Sequence, residues 1–187
     1  MVLIAPLMLE HNNINIFKMG WNQPSFRELF VEKLYFLGRV LKWKEVHYVE
    51  TVAKNIMKFD IVQGSFFINR RDIFEKIGFF DEGVFMYSEE DILAARIKRL
   101  NKDYYAGVCL DSTYVHEHDF TRKNLKARRS NLKAKAVSER YYLKHYSGMG
   151  KGRQGLIRLA SFIYINITVP IGEVLYRIRG LLKPSSS

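Results

Sequence analysis

The chain has 187 residues, of which 48% are hydrophobic and 14% aromatic, and its net charge is +11. This hydrophobic fraction is enough to build a core, so the composition excludes a globally disordered chain. The single cysteine excludes a disulfide framework within the chain, and the absence of a C-x-x-C pair argues against a structural zinc site. The length predicts one domain with an appendage. The positive charge favours a polyanionic neighbour, either nucleic acid or anionic lipid.

The first part of the chain contains signals for one strand and one helix. Residues 2–9 form a short apolar run with no basic region before it, which predicts a core strand rather than a signal peptide. Ser25 and Glu28 have the spacing of a capping box, and apolar residues then recur at helical period as far as Leu41. Lys33 is the one charged residue on this apolar face, where its long side chain could still reach water. We expect a core helix, with an interfacial membrane helix as the less favoured alternative.

The middle of the chain alternates strands with helices. Residues 59–69 predict a buried strand, in which Gly64 marks either a bulge or a place where a ligand passes over the backbone. This alternation predicts an α/β fold with a mixed sheet and flanking helices. The elements predicted after this strand are helices over 71–76 and 89–100, the first of them capped by Gly78, and strands over 104–110 and 113–116.

The positive charge is concentrated in one segment. Residues 121–153 contain eleven Lys or Arg and one acid, Glu139, which amounts to +10 of the net charge. Helix-forming residues dominate this segment, and the four glycines between 148 and 155 predict a flexible joint at its end. The tail, residues 154–187, contains an uncharged run over 159–172, which is shorter than the roughly 20 residues needed to cross a bilayer. We therefore expect an amphipathic, membrane-associating tail that lies in the interface or forms a re-entrant segment, and not a spanning helix.

Three consecutive acids, Glu89, Glu90 and Asp91, stand at the predicted start of the second helix, directly behind the aromatic run 85–87. Mutual repulsion raises the pKa of at least one of them, and the helix N-terminus opposes that rise. A carboxylate at this position could take a proton in a cleft. The alternative is that the three acids only complement the helix dipole in solvent.

Several short motifs around these acids occur in a fixed order. They resemble the C-terminal, acceptor-side half of a family 2 glycosyltransferase with a GT-A fold. The resemblance covers residues 1–120 and is strongest over 60–118. The residues that carry it are Gly64, the pair Arg70 and Arg71, the Gly-Phe-Phe-Asp-Glu turn at 78–82, the Phe-Met-Tyr-Ser-Glu-Glu motif at 85–90, and Arg96.

The resemblance implies a partial GT-A-like mixed sheet in residues 1–120 and transfer of a sugar from a nucleotide-sugar to an acceptor hydroxyl. It implies that the second acid of the last motif is the general base, and by spacing this acid is Glu90. The family has Asp where this chain has Glu, so Asp91, one residue later, is an alternative base. Glu89 completes the predicted catalytic cluster. Such a base is needed because a hydroxyl is a poor nucleophile until its proton is accepted in the transition state.

The same motifs imply the residues that bind substrate. For the two arginines, which could contact a diphosphate, the alternative is pairing with local acids. For Asp81 and Glu82 the alternative is a plain turn. For Tyr87 the alternative is packing rather than contact with the sugar. The predicted substrate-binding residues are Gly64, Arg70, Arg71, Asp81, Glu82 and Tyr87.

A metal site is predicted at the end of the last strand. His116 and His118 are two residues apart, so their rings lie on the same face of a strand, which suits a metal or phosphate site; two surface histidines are the alternative. The resemblance implies Mg²⁺ or Mn²⁺ as cofactor, held with the diphosphate by an Asp-x-Asp motif. This sequence contains no Asp-x-Asp motif, so we expect no complete donor site in this chain alone. A fragment, one half of a split enzyme and a protein that has lost catalysis all remain open.

The favoured hypothesis is a glycosyltransferase, or its acceptor-side half, in cell-surface polysaccharide or glycolipid synthesis at the inner face of the plasma membrane. The expected partners are a nucleotide-sugar donor, a sugar or lipid-linked acceptor, an anionic membrane surface and, for a split enzyme, a second chain with the nucleotide-binding half. One alternative is a non-catalytic membrane-docking or partner subunit. Nucleic-acid binding by residues 121–153 is disfavoured, because this segment offers only three tyrosines for stacking and no recognised reading motif.

Overall fold

A computed structural model of the protein describes residues 1–10, 13–14, 19–34, 50–116 and 125–181. The predicted continuation of the first helix to Leu41 lies outside the described residues, and so does His118. The strands are, in chain order, β1 (Leu3–Glu10), β2 (Asn13–Ile14), β3 (Gly20–Trp21), β4 (Glu50–Ala53), β5 (Ile56–Phe59), β6 (Ile61–Val62), β7 (Ile68–Asn69) and β8 (Ala106–Val115).

The protein has a mixed α/β fold, as predicted. Five strands lie in the order β2-β1-β8-β5-β4, and β7 pairs with the first residues of β1. β1 and β8 are parallel, and the other pairs of this sheet are antiparallel. β3 and β6 form a separate antiparallel pair. The predicted N-terminal core strand is confirmed, because Leu3, Ala5, Leu7 and Met8 of β1 are buried.

β8 replaces the two strands predicted over 104–110 and 113–116. Its register against β1 shifts where Pro6 is followed by Leu7, since Pro6 lies opposite Cys109 and Leu7 lies opposite Thr113. Residues 110–112 therefore bulge out of the ladder, at the point where proline has no backbone N–H to offer. The Leu110 N–H instead donates to the backbone oxygen of Asn55, 2.8 Å away. The sequence predicted two strands with a break between residues 110 and 113, but the chain continues as one strand.

The single strand predicted over 59–69 is wrong. The segment contains the end of β5, the two residues of β6 and the two residues of β7, with a turn between the last two. Asp60 separates β5 from β6, and its carboxylate binds Lys98 Nζ at 2.8 Å and the Gln23 N–H at 3.2 Å. Both contacts lie at the break between the two strands.

The helices predicted over 71–76 and 89–100 have the predicted bounds, whereas the first predicted helix ends at Lys33, with Leu34 in a turn. The capping box at Ser25 and Glu28 is confirmed with both of its hydrogen bonds. Gly78 follows the first predicted helix in the left-handed conformation at φ 75°, as expected for a residue just past a helix end. The helices are α1 (Phe26–Lys33), α2 (Arg71–Lys76), α3 (Glu89–Leu100), α4 (Leu125–His145), α5 (Lys151–Ile163) and α6 (Val169–Leu181), with a π-helical turn at Tyr164–Thr168 between the last two.

Helix α3 belongs to two hydrophobic clusters. Leu93 and Ile97 pack into the core of the mixed sheet. Ile92 and Ala95 pack into a second cluster, together with Tyr142 and Leu143 of α4 and Ile157 of α5. The basic helix and the start of the tail therefore share a core with the sheet domain. The predicted flexible joint is shorter than expected, because Gly152 and Gly155 lie inside α5 and only residues 146–150 connect α4 to it.

Lys33 does not reach water, contrary to the expectation from the sequence. Its side chain is 7% exposed, and its ammonium group lies 3.0 Å from Glu139 Oε1 and 3.1 Å from Glu32 Oε2. Ser161 Oγ donates to the other oxygen of Glu139 at 3.2 Å. Burial by itself would lower the pKa of Lys33, but the Glu139 and Glu32 carboxylates raise it on balance. The pair joins α1, α4 and α5.

Lys33→Met should lower the free energy of unfolding by about 3–5 kcal/mol, because it leaves the Glu139 carboxylate buried without its cation. Urea titration measures the change. The double variant Lys33→Met/Glu139→Gln should recover most of the loss. Lys58→Met is the matched control, since it breaks an ion pair with Glu50 that is open to solvent, and its effect should be small. Equal losses for Lys33→Met and Lys58→Met would contradict this interpretation.

Candidate active site at the start of helix α3

A cavity of about 450 Å³ lies at the N-terminal end of α3, between that helix, α1 and α4. Of the described residues that line it, six carry carboxylates and one, Lys135, carries a positive charge. This is an acidic cavity in a chain with a net charge of +11. The lining residues are Trp21, Asn22, Pro24, Glu28, Leu29, Glu32, Tyr87, Ser88, Glu89, Glu90, Asp91, Lys135, Glu139 and Tyr142.

A tight backbone reversal before α3 presents the three acids. Tyr87 and Ser88 both have positive φ angles, 69° and 60°, which non-glycine residues adopt at a cost on the order of 1 kcal/mol each. Ser138 Oγ of α4 donates to the backbone oxygen of Met86 at 2.6 Å and so holds the reversal in place. The Ser88 backbone oxygen accepts the first helical hydrogen bond, from the Ile92 N–H at 3.0 Å. Tyr87, predicted to bind substrate, lines the cavity.

The Glu90 carboxylate lies against the backbone of Gly64. The Gly64 N–H donates to Glu90 Oε1 at 3.1 Å. A Cβ atom on residue 64 would lie only 2.7 Å from that oxygen, so a side chain is excluded unless Glu90 moves. The sequence offered a bulge or a passing ligand as the reason for Gly64, but the group that approaches this backbone is the side chain of Glu90, the predicted base. A direct role of Gly64 in substrate binding stays a prediction.

Burial raises the pKa of Glu90. Hydrogen bonds from its own backbone N–H and from the Gly64 N–H oppose this rise, whereas the charges of Glu89 and Asp91 add to it. The net result is a pKa above the ordinary value of 4.5. A carboxylate with a raised pKa is a stronger base than a solvated one.

Asp91 lies on the same turn and has a different partner. Trp21 Nε1 donates to Asp91 Oδ1 at 3.2 Å. Burial raises the pKa of Asp91, and the Trp21 hydrogen bond only partly opposes the rise. Burial and the Asp91 charge together raise the pKa of Tyr142 to about 12, so this wall of the cavity keeps its hydroxyl proton at neutral pH. Glu89 Oε2 is buried, and among the described residues it has no hydrogen-bond partner.

The loop after Gly64 connects the cavity side to the end of β8. Ser65 Oγ and the Tyr114 hydroxyl lie 2.5 Å apart, and the Phe66 and Tyr114 rings have centroids 5.5 Å apart. His116 is the first residue after β8, and its backbone N–H donates to the Leu9 oxygen at 3.0 Å.

Within the part of the chain that the structure describes, no group of three or more His, Cys, Asp or Glu side chains is arranged to hold a metal ion. The metal site predicted at His116 and His118 stays a prediction, because one of its two ligands lies outside the described residues.

The predicted diphosphate ligands are paired with local acids. Arg70 binds both carboxylate oxygens of Asp72, at 3.1 and 2.7 Å, and Arg71 binds Glu75 at 2.8 Å. Both arginines are exposed. Arg96 donates to the backbone oxygens of Phe79 and Ile77 and thus supports the turn after α2.

Asp81 fixes its turn to α4. Its carboxylate accepts hydrogen bonds from the Tyr141 hydroxyl at 3.0 Å, from the Tyr146 hydroxyl and from the Gly83 N–H at 2.8 Å. Burial would raise the pKa of Asp81, but these hydrogen bonds lower it on balance. Neither Asp81 nor the exposed Glu82 lines the cavity, and their predicted role in substrate binding stays a prediction.

Two residues that line the cavity, Trp21 and Lys135, were not predicted from the sequence. Trp21 stands seventy residues before Asp91 and carries no local signal. Lys135 was counted with the basic segment, yet it faces the cavity and binds Glu32 Oε1 at 3.0 Å. One signal was available, because the only acid of the basic segment, Glu139, stands four residues after Lys135 and therefore on the same helix face.

No protein-family model matches this chain, and no curated protein sequence matches it at a significant level.

Gly64→Ala should lower the free energy of unfolding by about 1–2 kcal/mol, because the added methyl group displaces the Glu90 carboxylate and breaks its hydrogen bond. The same substitution in a Glu90→Ala background should be neutral or stabilising. Chemical denaturation of the four proteins gives the coupling between the two positions. A cost that is unchanged in the Glu90→Ala background would mean that the glycine is needed for another reason.

Glu90→Gln should raise the melting temperature by a few degrees at pH 8, and the gain should vanish below pH 4.5. The folded-state pKa of Glu90 is raised, so the folded protein binds more protons than the unfolded chain between the two pKa values, and stability falls as the pH rises through that window. Calorimetry between pH 4 and pH 8 tests this. Glu75→Gln, at an exposed ion pair, is the control. A lower melting temperature for Glu90→Gln at pH 8 would show that hydrogen bonding outweighs burial.

Proposed function

We propose that this chain carries the acceptor-side part of a glycosyltransferase site, in which Glu90 is the general base. The proposed reaction transfers a sugar from a nucleotide-sugar to an acceptor hydroxyl. The observation that carries the proposal is the Glu90 carboxylate, which is held by the Gly64 N–H in the wall of a cavity and has a raised pKa.

The chemistry requires such a group. In the transfer step the acceptor O–H proton passes to Glu90, and the acceptor oxygen forms a bond to the anomeric carbon. The bond from that carbon to the diphosphate breaks, and the nucleoside diphosphate leaves with the electron pair. A base of this kind typically contributes about 10²–10⁴-fold to the rate. Asp91, whose carboxylate is bound by Trp21, is the better candidate for positioning the helix start than for accepting the proton.

The cavity supports a sugar acceptor. Its volume of about 450 Å³ falls within the usual range for small-molecule sites. Carboxylate oxygens accept hydrogen bonds from hydroxyl groups, and the aromatic rings of Trp21, Tyr87 and Tyr142 offer apolar surface against which a sugar ring could pack. The acceptor class that fits is a polyhydroxylated one.

The donor side is assigned to no residue described here. The order of motifs from Gly64 to Arg96 and the mixed sheet both support a GT-A-like arrangement. Among the described residues no group of three or more His, Cys, Asp or Glu side chains could hold a metal ion, and both candidate diphosphate ligands, Arg70 and Arg71, are paired with carboxylates. In this proposal the chain provides acceptor binding and the proton-accepting base, and a nucleotide-binding partner provides the donor site.

Glu90→Gln should lower sugar transfer by at least about 10²-fold, because the amide cannot accept the acceptor proton. The assay uses the full chain, alone and with any chain encoded beside it. It measures release of nucleoside diphosphate and labelled product from a panel of nucleotide-sugars, with membrane lipid extract and soluble sugars as acceptors. The acidic limb of the wild-type pH profile should report a pKa above 4.5, because the pKa of Glu90 is raised.

Three variants separate the possible outcomes. Asp91→Asn should reduce transfer less than Glu90→Gln does, and Glu75→Gln, which changes an exposed carboxylate away from the cavity, should leave it unchanged. A Glu90→Gln protein with wild-type turnover would remove Glu90 from the base role. If the wild-type chain with its complementing chain transfers no sugar from any donor, the enzymatic proposal is overturned in favour of a non-catalytic partner subunit.

A further inference from the structure

The C-terminal helix has one face packed on the protein. α5, the π-helical turn and α6 follow one another without a break. The packed face is formed by Ile157, Ala160, Ser161, Ile165 and Val169, all at most 5% exposed. Four of these residues are spaced by four, and in an α-helix such a spacing drifts about 40° per step. The π-helical turn accommodates an extra residue and so keeps the later positions on the same face.

The opposite face is apolar and exposed. Its large hydrophobic side chains are between 47% and 59% exposed and extend along the whole helix. Monomeric soluble proteins seldom expose a contiguous apolar surface of this length, and such surfaces mark contact sites for proteins or membranes. Leu156, Leu159, Phe162 and Ile167 lie opposite the packed face, whereas the exposed residues of α6 extend around more of the helix, because three of them are consecutive. The α6 residues are Ile171, Val174, Leu175, Tyr176 and Ile178. Both groups together are called the apolar face.

Much of the positive charge lies on the helix beside the apolar face. Helix α4 lies alongside, because Arg129 Nη2 donates to Asn166 Oδ1 of the π-helical turn at 2.9 Å. An apolar surface with cations beside it is complementary to a bilayer with anionic headgroups. The exposed basic residues on α4 and at the start of α5 are Lys126, Arg128, Lys133, Arg140, Lys144, Lys151, Arg153 and Arg158.

We propose that the apolar face docks on an anionic lipid bilayer, with the helix lying in the plane of the interface. Among the described residues, Lys151–Ile178 is the one stretch long and apolar enough to cross a membrane by length and composition. Its packed face argues against crossing. Ser161 on that face binds Glu139, which is ion-paired with Lys33. If the helix crossed the membrane, either the charges of Glu139 and Lys33 would enter the hydrocarbon layer or Ser161 would lose its contact with Glu139. The docking is independent of sugar transfer.

Sedimentation with lipid vesicles tests the proposal on the full chain. The wild-type protein should bind vesicles containing phosphatidylglycerol, bind vesicles of phosphatidylcholine alone less tightly, and lose affinity as salt rises. Leu159→Glu/Phe162→Glu should lower the affinity for the anionic vesicles by at least about tenfold, because two apolar side chains no longer enter the bilayer. Val174→Glu/Ile178→Glu, on α6, should have the same effect.

Val52→Glu/Leu100→Glu is the matched control. It places two new carboxylates at apolar positions that are 40% and 46% exposed, away from this helix, so its affinity should stay within about threefold of the wild-type value. Circular dichroism should show that all the variants are folded, since every substituted side chain is at least 40% exposed.

Four results would overturn the proposal. One is unchanged vesicle binding by both helix variants, and another is equal binding of the wild-type protein to neutral and anionic vesicles. The third is resistance of bound protein to alkaline extraction, which would indicate a spanning helix. The fourth is a concentration-dependent dimer, without vesicles, that the helix variants abolish, because a second copy would then cover the apolar face.

Discussion

The hydrogen bond between the Gly64 N–H and Glu90 fixes the candidate site, because it joins two parts of the chain that the sheet alone would not bring together. Gly64 lies in the turn between β6 and β7, and Glu90 lies in the first turn of α3. The bond joins a residue that has no side chain to a half-buried carboxylate. The raised pKa of Glu90 follows from the same burial.

Helix α3 can meet this requirement because it is held on both sides. Its apolar residues are divided between the sheet core and the helical cluster, so the helix cannot slide without disturbing one of them. At its N-terminus the left-handed Tyr87 and Ser88 store backbone strain, and the bond from Ser138 to the Met86 oxygen helps to maintain it. Strain of this kind near a cavity is typical of functional sites. The packing of α4 thus contributes to the geometry of acids that belong to another helix.

The ion pair between Lys33 and Glu139 has a comparable role on the far side of the cavity. The pair is buried, and each partner has one further polar contact. Lys33 also binds Glu32, and Glu139 also accepts a hydrogen bond from Ser161. A buried pair of this kind contributes little net stability, but removing one partner is costly, so it restricts how α1, α4 and α5 can pack. The same contacts keep the packed face of the C-terminal helix on the protein and leave its apolar face outward. Glu139 therefore belongs both to the lining of the acidic cavity and to the contacts that hold the packed face of the C-terminal helix.

The sequence alone determines those elements that depend on interactions between residues only a few positions apart. The capping box of α1, the bounds of α2 and α3, the left-handed Gly78 and the α/β class all follow from spacing and periodicity. The acids at the start of α3 were also predicted as a cluster, since their positions are consecutive. What only the tertiary structure decided is which distant groups meet: Gly64 with Glu90, Trp21 with Asp91, Lys33 with Glu139, and two tyrosines of α4 with Asp81. Each of these contacts joins residues 26 to 106 positions apart, and the sequence could not predict them because burial, and not proximity along the chain, selects the partner of a charged group.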